Sequence, residues 1–138
     1  MPFVPFCYPG WVVKLDWGTC KLMADDKVVY DADTGYVLLD QGRRHYENSK
    51  FRLYGCNAFE INDPDPAKRA KAVAGRDWFR SQVLGKQVCV RSMKYEEKFG
   101  RILTILWLNE ANFLDNSKSL NRQLIDLGHA VPFMGELL

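Results

Sequence analysis

A chain of 138 residues, with 47% hydrophobic and 13% aromatic residues, has the size and apolar content of a single globular domain. Its formal net charge of only +2 excludes a surface that is basic throughout, so any binding to nucleic acid must use a local patch. No segment approaches the roughly 20 apolar residues that span a bilayer, and the first residues lack the basic region of a signal peptide. We therefore expect no membrane partner and a cytoplasmic location.

The first part of the chain is richer in aromatic residues and proline than the rest. We expect residues 1–25 to form an N-terminal extension that packs on the same domain as residues 26–138. It could cap the barrel, which we favour, cover an edge strand or form a dimer contact. Within it, the run Trp11–Met23 predicts a β-hairpin that turns at Trp17 and Gly18.

Three short strands are predicted at the beginning of the main domain. They lie at Lys27–Tyr30, Gly35–Asp40 and Lys50–Tyr54, where apolar and β-branched residues dominate. The polar segment Gln41–Ser49 predicts the loop between the last two strands, and its Gly42 suits a turn.

A long α-helix is predicted over Pro66–Leu84. Asp65 can cap its first turn, and Gly85 can end it. From the sequence, we expect the apolar side of this helix to consist of Ala70, Val73, Ala74 and Trp78.

Two more strands and a second helix are predicted in the remainder. The strands are Gln87–Met93 and Arg101–Leu108, joined by the exposed segment Lys94–Gly100, and the helix is Leu120–Leu127. The apolar run of the second strand is too continuous for a half-exposed strand and indicates a central one. The order of these elements is compatible with an α+β fold in which a five-stranded Greek-key barrel carries two or three helices.

Three motifs carry charged groups suited to phosphodiester chemistry. They are DADT at Asp31–Thr34, FRLYGCNAFE at Phe51–Glu60 and KFGR at Lys98–Arg101. An Asp carboxylate is a hard ligand for a divalent ion, an Arg guanidinium binds two phosphate oxygens at once, and a Glu can activate water. The set therefore indicates metal-assisted hydrolysis of a phosphodiester.

In this order, the motifs resemble those of the staphylococcal nuclease (thermonuclease, SNase-like) family, over roughly residues 26–134. That family carries the patterns D-G-D-T, R-L-x-x-(I/V)-D-x-P-E and Y-G-R, and SLNRQLIDLGHA at Ser119–Ala130 is similar to its V-N-E-x-L-V-x-x-G-x-A helix. The resemblance implies an OB-fold barrel, the five-stranded Greek-key barrel that this family uses.

The resemblance also implies roles for the matching residues. Arg52 and Arg101 would stabilise the charge that develops on the phosphoryl group, and Glu60 would be the general base. A Ca²⁺ ion, with Mg²⁺ or Mn²⁺ as alternatives, would be bound by Asp33, Asn57 and the backbone oxygen of Ala58, with Asp31 as a nearby second acid.

Three positions depart from the family pattern. Asn57 replaces a calcium-binding aspartate, and the loss of one negative charge predicts weaker metal binding. Phe59 replaces the proline before Glu60 and removes a constraint on φ, so we expect Glu60 to be held less rigidly. Phe99 replaces a tyrosine. Lys98 and Phe99, together with Phe133, are the residues we expect to contact the substrate.

The resemblance thus implies a Ca²⁺-dependent nuclease that cleaves DNA, RNA or both, prefers single strands and leaves a 3′-phosphate. A monomer is the default expectation for its oligomeric state. One alternative is an SNase-like OB-fold with weakened catalysis that binds nucleic acid or a protein partner. Another is a structural or assembly protein whose aromatic N-terminus forms an interface.

The same residues also have purely structural interpretations. Arg52 inside an apolar strand is costly unless it meets an acid, so an ion pair with Glu60 or Asp33 would explain it. Asp31 and Asp33 could have no role beyond shaping a turn, and Arg101 could be an ordinary surface residue at a strand start.

Overall fold

The computed structural model of the protein describes residues 7–16, 18–19, 21–23, 27–96 and 100–133. This part of the chain contains ten strands, two α-helices and two short 3₁₀ helices, at Glu110–Asn112 and Asn116–Lys118. In chain order, the strands and α-helices are β1 (Cys7–Trp11), β2 (Leu15–Asp16), β3 (Lys21–Leu22), β4 (Val29–Asp31), β5 (Thr34–Asp40), β6 (Tyr46–Leu53), β7 (Cys56–Ala58), α1 (Pro66–Val83), β8 (Gln87–Glu96), β9 (Ile102–Trp107), α2 (Leu120–Asp126) and β10 (Ala130–Pro132).

The main sheet closes on itself as a barrel. Its strand order is β4-β5-β6-β9-β8-β1, and β1 also pairs with β5. Strand β4 pairs with the beginning of β5, where Asp31 lies opposite Thr34, whereas β1 pairs with its end, where Gly10 lies opposite Leu39. Strands β1 and β4 therefore share one position in a five-stranded barrel.

The topology is that of an OB-fold-like barrel. The pairs β4–β5, β5–β6, β8–β9, β1–β8 and β1–β5 are antiparallel. The pair β6–β9 is parallel, with Phe51 opposite Ile102. The predicted α+β barrel with two helices is confirmed, and β9 is the central strand that its apolar run indicated.

The barrel interior is filled by alternate residues of its strands. Val37, Leu39, Phe51, Leu53, Val88, Val90 and Leu106 are each at most 2% exposed. Helix α1 closes the core with Phe79, whose ring meets that of Phe51 edge to face at a centroid distance of 6.3 Å.

The buried side of α1 agrees with the predicted one only at Trp78, which is half-buried and packs against the core. The buried residues are Ala72, Gly75, Phe79 and Val83, whereas Ala70, Val73 and Ala74 are exposed. The reason is close packing: a Cβ atom on Gly75 would lie 3.1 Å from the Cβ of His129. The absence of a side chain at this position lets the helix approach the chain after α2.

The β5–β6 connection is shorter than predicted. Strand β6 begins at Tyr46, so the loop is residues 41–45, because backbone pairing with β5 continues through the polar residues 46–49. The turn is closed by a hydrogen bond from the His45 N–H to the Gly42 oxygen, and φ is positive at Gly42, Arg43 and Arg44. Positive φ at two central residues is typical of tight hairpin turns that match the twist of the strands.

The predicted exposed segment after β8 is partly strand. Strand β8 continues to Glu96, opposite Ile102, past an irregularity in the register after Ser92. An irregularity of this kind bends a strand and lets it continue beyond its apolar run.

The N-terminal residues contribute directly to the barrel, because β1 pairs along its whole length with β8. After β1, strands β2 and β3 form the predicted hairpin, with Leu15 opposite Leu22. The carboxylate of Asp16 accepts a hydrogen bond from the Gly18 N–H in its turn. Trp17, where the sequence places part of the turn, lies outside the described residues.

Both α-helices have the expected caps. Asp65 accepts a hydrogen bond from the Ala67 N–H, and Ser119 accepts one from the Arg122 N–H. Gly85 and Gly128, which follow the two helices, have φ values of 68° and 79°. Within the described residues, neither helix is long and apolar enough to cross a membrane.

A buried amide joins α2 to the barrel. The Asn121 side chain is fully buried, and its oxygen accepts a hydrogen bond from the Leu106 N–H at 3.1 Å. Its amide nitrogen donates to the backbone oxygens of Tyr54 and Thr104, both at 2.9 Å. One side chain therefore ties α2 to β9 and to the turn after β6.

Replacing this amide tests the role of α2 in holding the barrel. Asn121→Ala should lower the free energy of unfolding by on the order of 3 kcal/mol, because it removes three hydrogen bonds of a fully buried side chain, among them the one from the buried Leu106 N–H. Asn62→Ala, at an exposed position, should change it by less than about 0.5 kcal/mol. Urea unfolding of the two variants makes the comparison, and equal losses would contradict this role for Asn121.

Candidate active site

Asp33 is the anchor of the site. It is 6% exposed and lies in the turn between β4 and β5. One carboxylate oxygen, Oδ2, accepts a hydrogen bond from the Ala58 N–H at 2.8 Å, and Oδ1 accepts one from the Thr34 hydroxyl at 3.0 Å. Its backbone oxygen accepts from the Leu53 N–H at 2.8 Å. These bonds fasten the turn to the ends of β6 and β7, where the second motif lies.

Arg52 lies against Asp33. Its Nη1 is 2.6 Å from Asp33 Oδ2, and its Nη2 donates to the Asn57 side-chain oxygen at 3.2 Å. The side chains of Arg52 and Asp33 are only 11% and 9% exposed. Of the two ion pairs that the sequence left open, the structure contains the one with Asp33. Removing one partner of a buried pair of this kind would destabilise the fold, because it would leave the other charge buried and uncompensated.

A small two-stranded sheet holds Asn57 and places an aromatic ring beside Arg52. In this sheet, β7 pairs with β10, and Asn57 lies opposite Val131. The Phe133 N–H donates to the Gly55 oxygen, and the Phe133 ring, 44% exposed, has its centroid 5.9 Å from Cζ of Arg52. The charged cluster is therefore bordered by an exposed aromatic side chain.

Asp31 is an electrostatically unfavourable acid at the end of β4. Burial raises the pKa of its carboxyl, and the negative charges of Asp33 and Glu60 add to the rise. Arg52 and Arg76 partly oppose it. Acids from two separate segments, Asp31 and Asp33 around the turn after β4 and Glu60 after β7, thus lie within electrostatic reach of one another, and no local sequence pattern indicates that Arg76 of α1 would join them.

Glu60 follows β7 and is exposed. The segment before it is supported by α1, because Lys71 Nζ lies 5.4 Å from the centroid of the half-buried Phe59 ring. The contact gives Phe59 a neighbour that the sequence did not predict. The Asp63 N–H donates to the Glu60 oxygen at 3.2 Å and closes the turn that follows.

Arg101 lies on the strand next to Arg52. It directly precedes β9, in which Leu103 is paired with Arg52. By this register Arg101 lies level with Lys50, two residues before Arg52 along β6, and its side chain is half-buried. Lys98 and Phe99, which the sequence places in contact with the substrate, lie outside the described residues.

The oxygen atoms of the site are of the chemical types that bind a hard divalent cation. Asp33 supplies a carboxylate, Asn57 an amide oxygen and Ala58 a backbone oxygen, with the carboxylate of Asp31 alongside. The oxygens of Asp33 and Asn57 already converge on one positive group, the guanidinium of Arg52. Within the described residues, no three His, Cys, Asp or Glu side chains form a metal-binding group, so a metal would need the amide and backbone donors.

The buried cysteine beside the site does not supply a nucleophile. Burial raises the pKa of the Cys56 thiol to about 12, with a further rise from Asp33 and an opposing effect of Arg52. The thiol is therefore protonated at neutral pH and is a poor nucleophile. Cys56 is therefore not a candidate nucleophile.

A cavity of about 280 Å³ lies elsewhere, between β1, β8 and the segment after β9. Tyr8, Cys89, Glu110 and Phe113 are among the residues that line it. None of the residues assigned to the candidate active site lines this cavity. The candidate site is therefore identified by the contacts among its polar side chains and not by a cavity.

Comparison with known protein families and curated proteins finds no match to this chain. No model of a known protein family matches the chain, and no curated protein matches its sequence. The family resemblance therefore depends on the motifs themselves, whose residues the barrel brings together from β4, β6 and β7.

The raised pKa of Asp31 predicts a pH-dependent effect on stability. Ionised Asp31 destabilises the folded protein, and the cost grows as pH rises from its ordinary pKa of 3.8 through the raised value. Asp31→Asn should therefore be more stable than the wild type near neutral pH, and the difference should shrink as pH falls towards 3.8. Urea unfolding across this range measures it. A difference that does not change with pH would contradict the assignment.

Proposed function

We propose that the protein is a metal-dependent nuclease of the staphylococcal nuclease type, which hydrolyses phosphodiester bonds of DNA, RNA or both. The observation that supports this best is the position of Arg52. Its guanidinium bridges Asp33 at 2.6 Å and Asn57 at 3.2 Å, beside the exposed ring of Phe133. A cation fixed between oxygen acceptors and an aromatic ring suits a phosphate with its attached base.

In this proposal, the two arginines bind the phosphoryl group. Arg52 is already oriented by Asp33, so little freedom is lost when it engages a phosphate oxygen. Arg101 approaches from the neighbouring strand β9. Two guanidinium groups at the phosphoryl oxygens stabilise the negative charge that grows during displacement.

Glu60 removes a proton from the attacking water. It is exposed and therefore accessible to solvent, and the turn after β7 holds its backbone. Its negative charge contributes to the raised pKa of Asp31, so it lies within electrostatic reach of the acids of the cluster. A base on one side and charge-stabilising donors on the other is the arrangement that in-line attack by water needs.

The cofactor of the proposal is Ca²⁺, with Mg²⁺ or Mn²⁺ as alternatives. Asp33, Asn57 and the Ala58 backbone oxygen would bind it, with Asp31 nearby. When bound, such an ion polarises a phosphoryl oxygen as a Lewis acid. The proposed substrates are single strands, because an exposed ring such as Phe133 can stack on an unpaired base. By resemblance, the products end in a 3′-phosphate.

A second candidate is a nucleic-acid-binding protein without catalysis. It is supported by the same contacts of Arg52, because the guanidinium occupies oxygens of both Asp33 and Asn57. With the Arg52 guanidinium in the place of a metal ion, the site can still bind a phosphate. The two candidates differ in whether Glu60 matters, since binding alone requires no base.

Glu60→Gln separates these candidates. The variant should lose on the order of 100-fold or more in the rate of single-strand cleavage, because it lacks the general base. Its melting temperature should stay close to that of the wild type, since Glu60 is exposed. Cleavage of a labelled oligonucleotide in the presence of Ca²⁺ gives the rate.

Asp63→Asn is the matched control for this experiment. It removes one negative charge three residues further along, and an asparagine can keep the hydrogen bond from the Asp65 N–H. Equal rates for Glu60→Gln, Asp63→Asn and the wild type would contradict the role of Glu60.

Asn57→Asp tests the placement of the metal. A second carboxylate should tighten Ca²⁺ binding by on the order of tenfold, because calcium affinity follows the charge of its ligands. Isothermal titration calorimetry measures the affinity. Asn62→Asp adds the same charge at an exposed position and should leave it nearly unchanged. If both variants bind Ca²⁺ with equal affinity, the metal does not lie at Asn57.

A further inference from the structure

We propose that the outer face of the β5–β6 hairpin is a second contact surface for single-stranded nucleic acid, formed by Lys14, Tyr36 and Lys50. We call these three residues the outer track. The proposal rests on the nuclease function proposed above, because it assigns the outer track to the part of the strand that extends beyond the scissile phosphate. It concerns binding, and therefore it is tested without catalysis.

The pairing of β5 and β6 puts the outer track in line with the candidate active site. Tyr36 lies opposite Lys50, and Thr34 lies opposite Arg52. Paired residues share one face of a sheet, and every second residue along a strand faces the same way. Val37 and Phe51, the neighbours in sequence, are fully buried, so Tyr36 and Lys50 face outward. Lys50 and Arg52 lie about 6.7 Å apart along β6.

Hydrogen bonds to the backbone on both sides of Lys14 hold this residue on the outer face of the hairpin. Its Nζ lies 4.2 Å from the centroid of the Tyr36 ring. The Asn48 side chain accepts a hydrogen bond from the Leu15 N–H at 2.8 Å and donates one to the Val13 oxygen at 3.0 Å, so it holds the residue on each side of Lys14. The Lys14 oxygen accepts from the Met23 N–H at 2.8 Å. The ammonium group is therefore directed to the ring by the fold.

The charges on this face suit a polyanion. The Tyr36 ring is flanked by two lysines, Lys14 above it and Lys50 on the paired strand. The next pair along the hairpin, Leu38 and Asn48, is neutral. A row of positive groups that leads away from a phosphate-binding arginine matches the phosphates of a nucleic-acid strand better than the scattered charges of a peptide. In this arrangement, the lysines bind phosphates and Tyr36 positions Lys14.

The test is binding of a fluorescein-labelled strand of about ten thymidines, followed by fluorescence anisotropy in EDTA at several salt concentrations. Lys14→Met should weaken binding by on the order of fivefold at low salt and reduce the slope of log K against log salt by about 0.7, the share of one phosphate contact on a single strand. Tyr36→Leu should weaken binding similarly, whereas Tyr36→Phe keeps the ring and should bind like the wild type. Lys118→Met, at an exposed lysine of the 3₁₀ helix Asn116–Lys118, is the control and should have no effect.

The outcomes separate this proposal from the nuclease function. If Lys14→Met binds with wild-type affinity and slope while the protein cleaves its substrate, the outer track is wrong and the nuclease stands. If the protein never cleaves but Lys14→Met and Tyr36→Leu lose affinity, the outer track stands and the nuclease is wrong. Absence of binding by the wild type, or displacement of the strand by polyglutamate as readily as by unlabelled strand, overturns the outer track.

Discussion

The ion pair between Arg52 and Asp33 is the contact on which the rest of the site depends. Its 2.6 Å separation and its burial mean that neither charge tolerates the loss of the other. Asp33 also accepts the Ala58 N–H and the Thr34 hydroxyl, so the same carboxylate fixes the turn after β4 and the start of the segment that leads to Glu60. The charge that holds these segments together is thus the charge that the proposed chemistry uses.

The barrel explains why a polar cluster can exist at this place. The β5–β6 hairpin closes its far end with a tight turn, so its open end brings Thr34 and Arg52 opposite each other. The small β7–β10 sheet covers this open end and adds Asn57 on one strand and the segment to Phe133 on the other. Helix α1 approaches through the space left by Gly75 and brings Arg76 close to Asp31. Each of these elements thus packs against the rest of the fold and also contributes a side chain to the site.

Much of this arrangement could be predicted from the sequence because its signals are local. Hydrophobic runs and capping residues located both helices and most barrel strands, and the motifs named Asp33, Arg52 and Asn57 before any contact was known. The errors concern long-range contacts. Strand β1 in the barrel, the early start of β6 and the buried side of α1 depend on distant partners, such as β8 for β1 and His129 for Gly75. The electrostatic interaction of Arg76 with Asp31 and the contact of Lys14 with Tyr36 likewise cannot be predicted from a local sequence pattern.

The most direct test of the account is a cleavage assay of the wild-type protein on single-stranded DNA and RNA, with Ca²⁺, Mg²⁺ or Mn²⁺ and with EDTA, followed by analysis of the new 3′ ends. The account predicts cleavage that requires the metal and leaves a 3′-phosphate. Folded protein that binds the strand but cleaves it with none of the three ions would contradict the account and make the Arg52 cluster a phosphate-binding site alone.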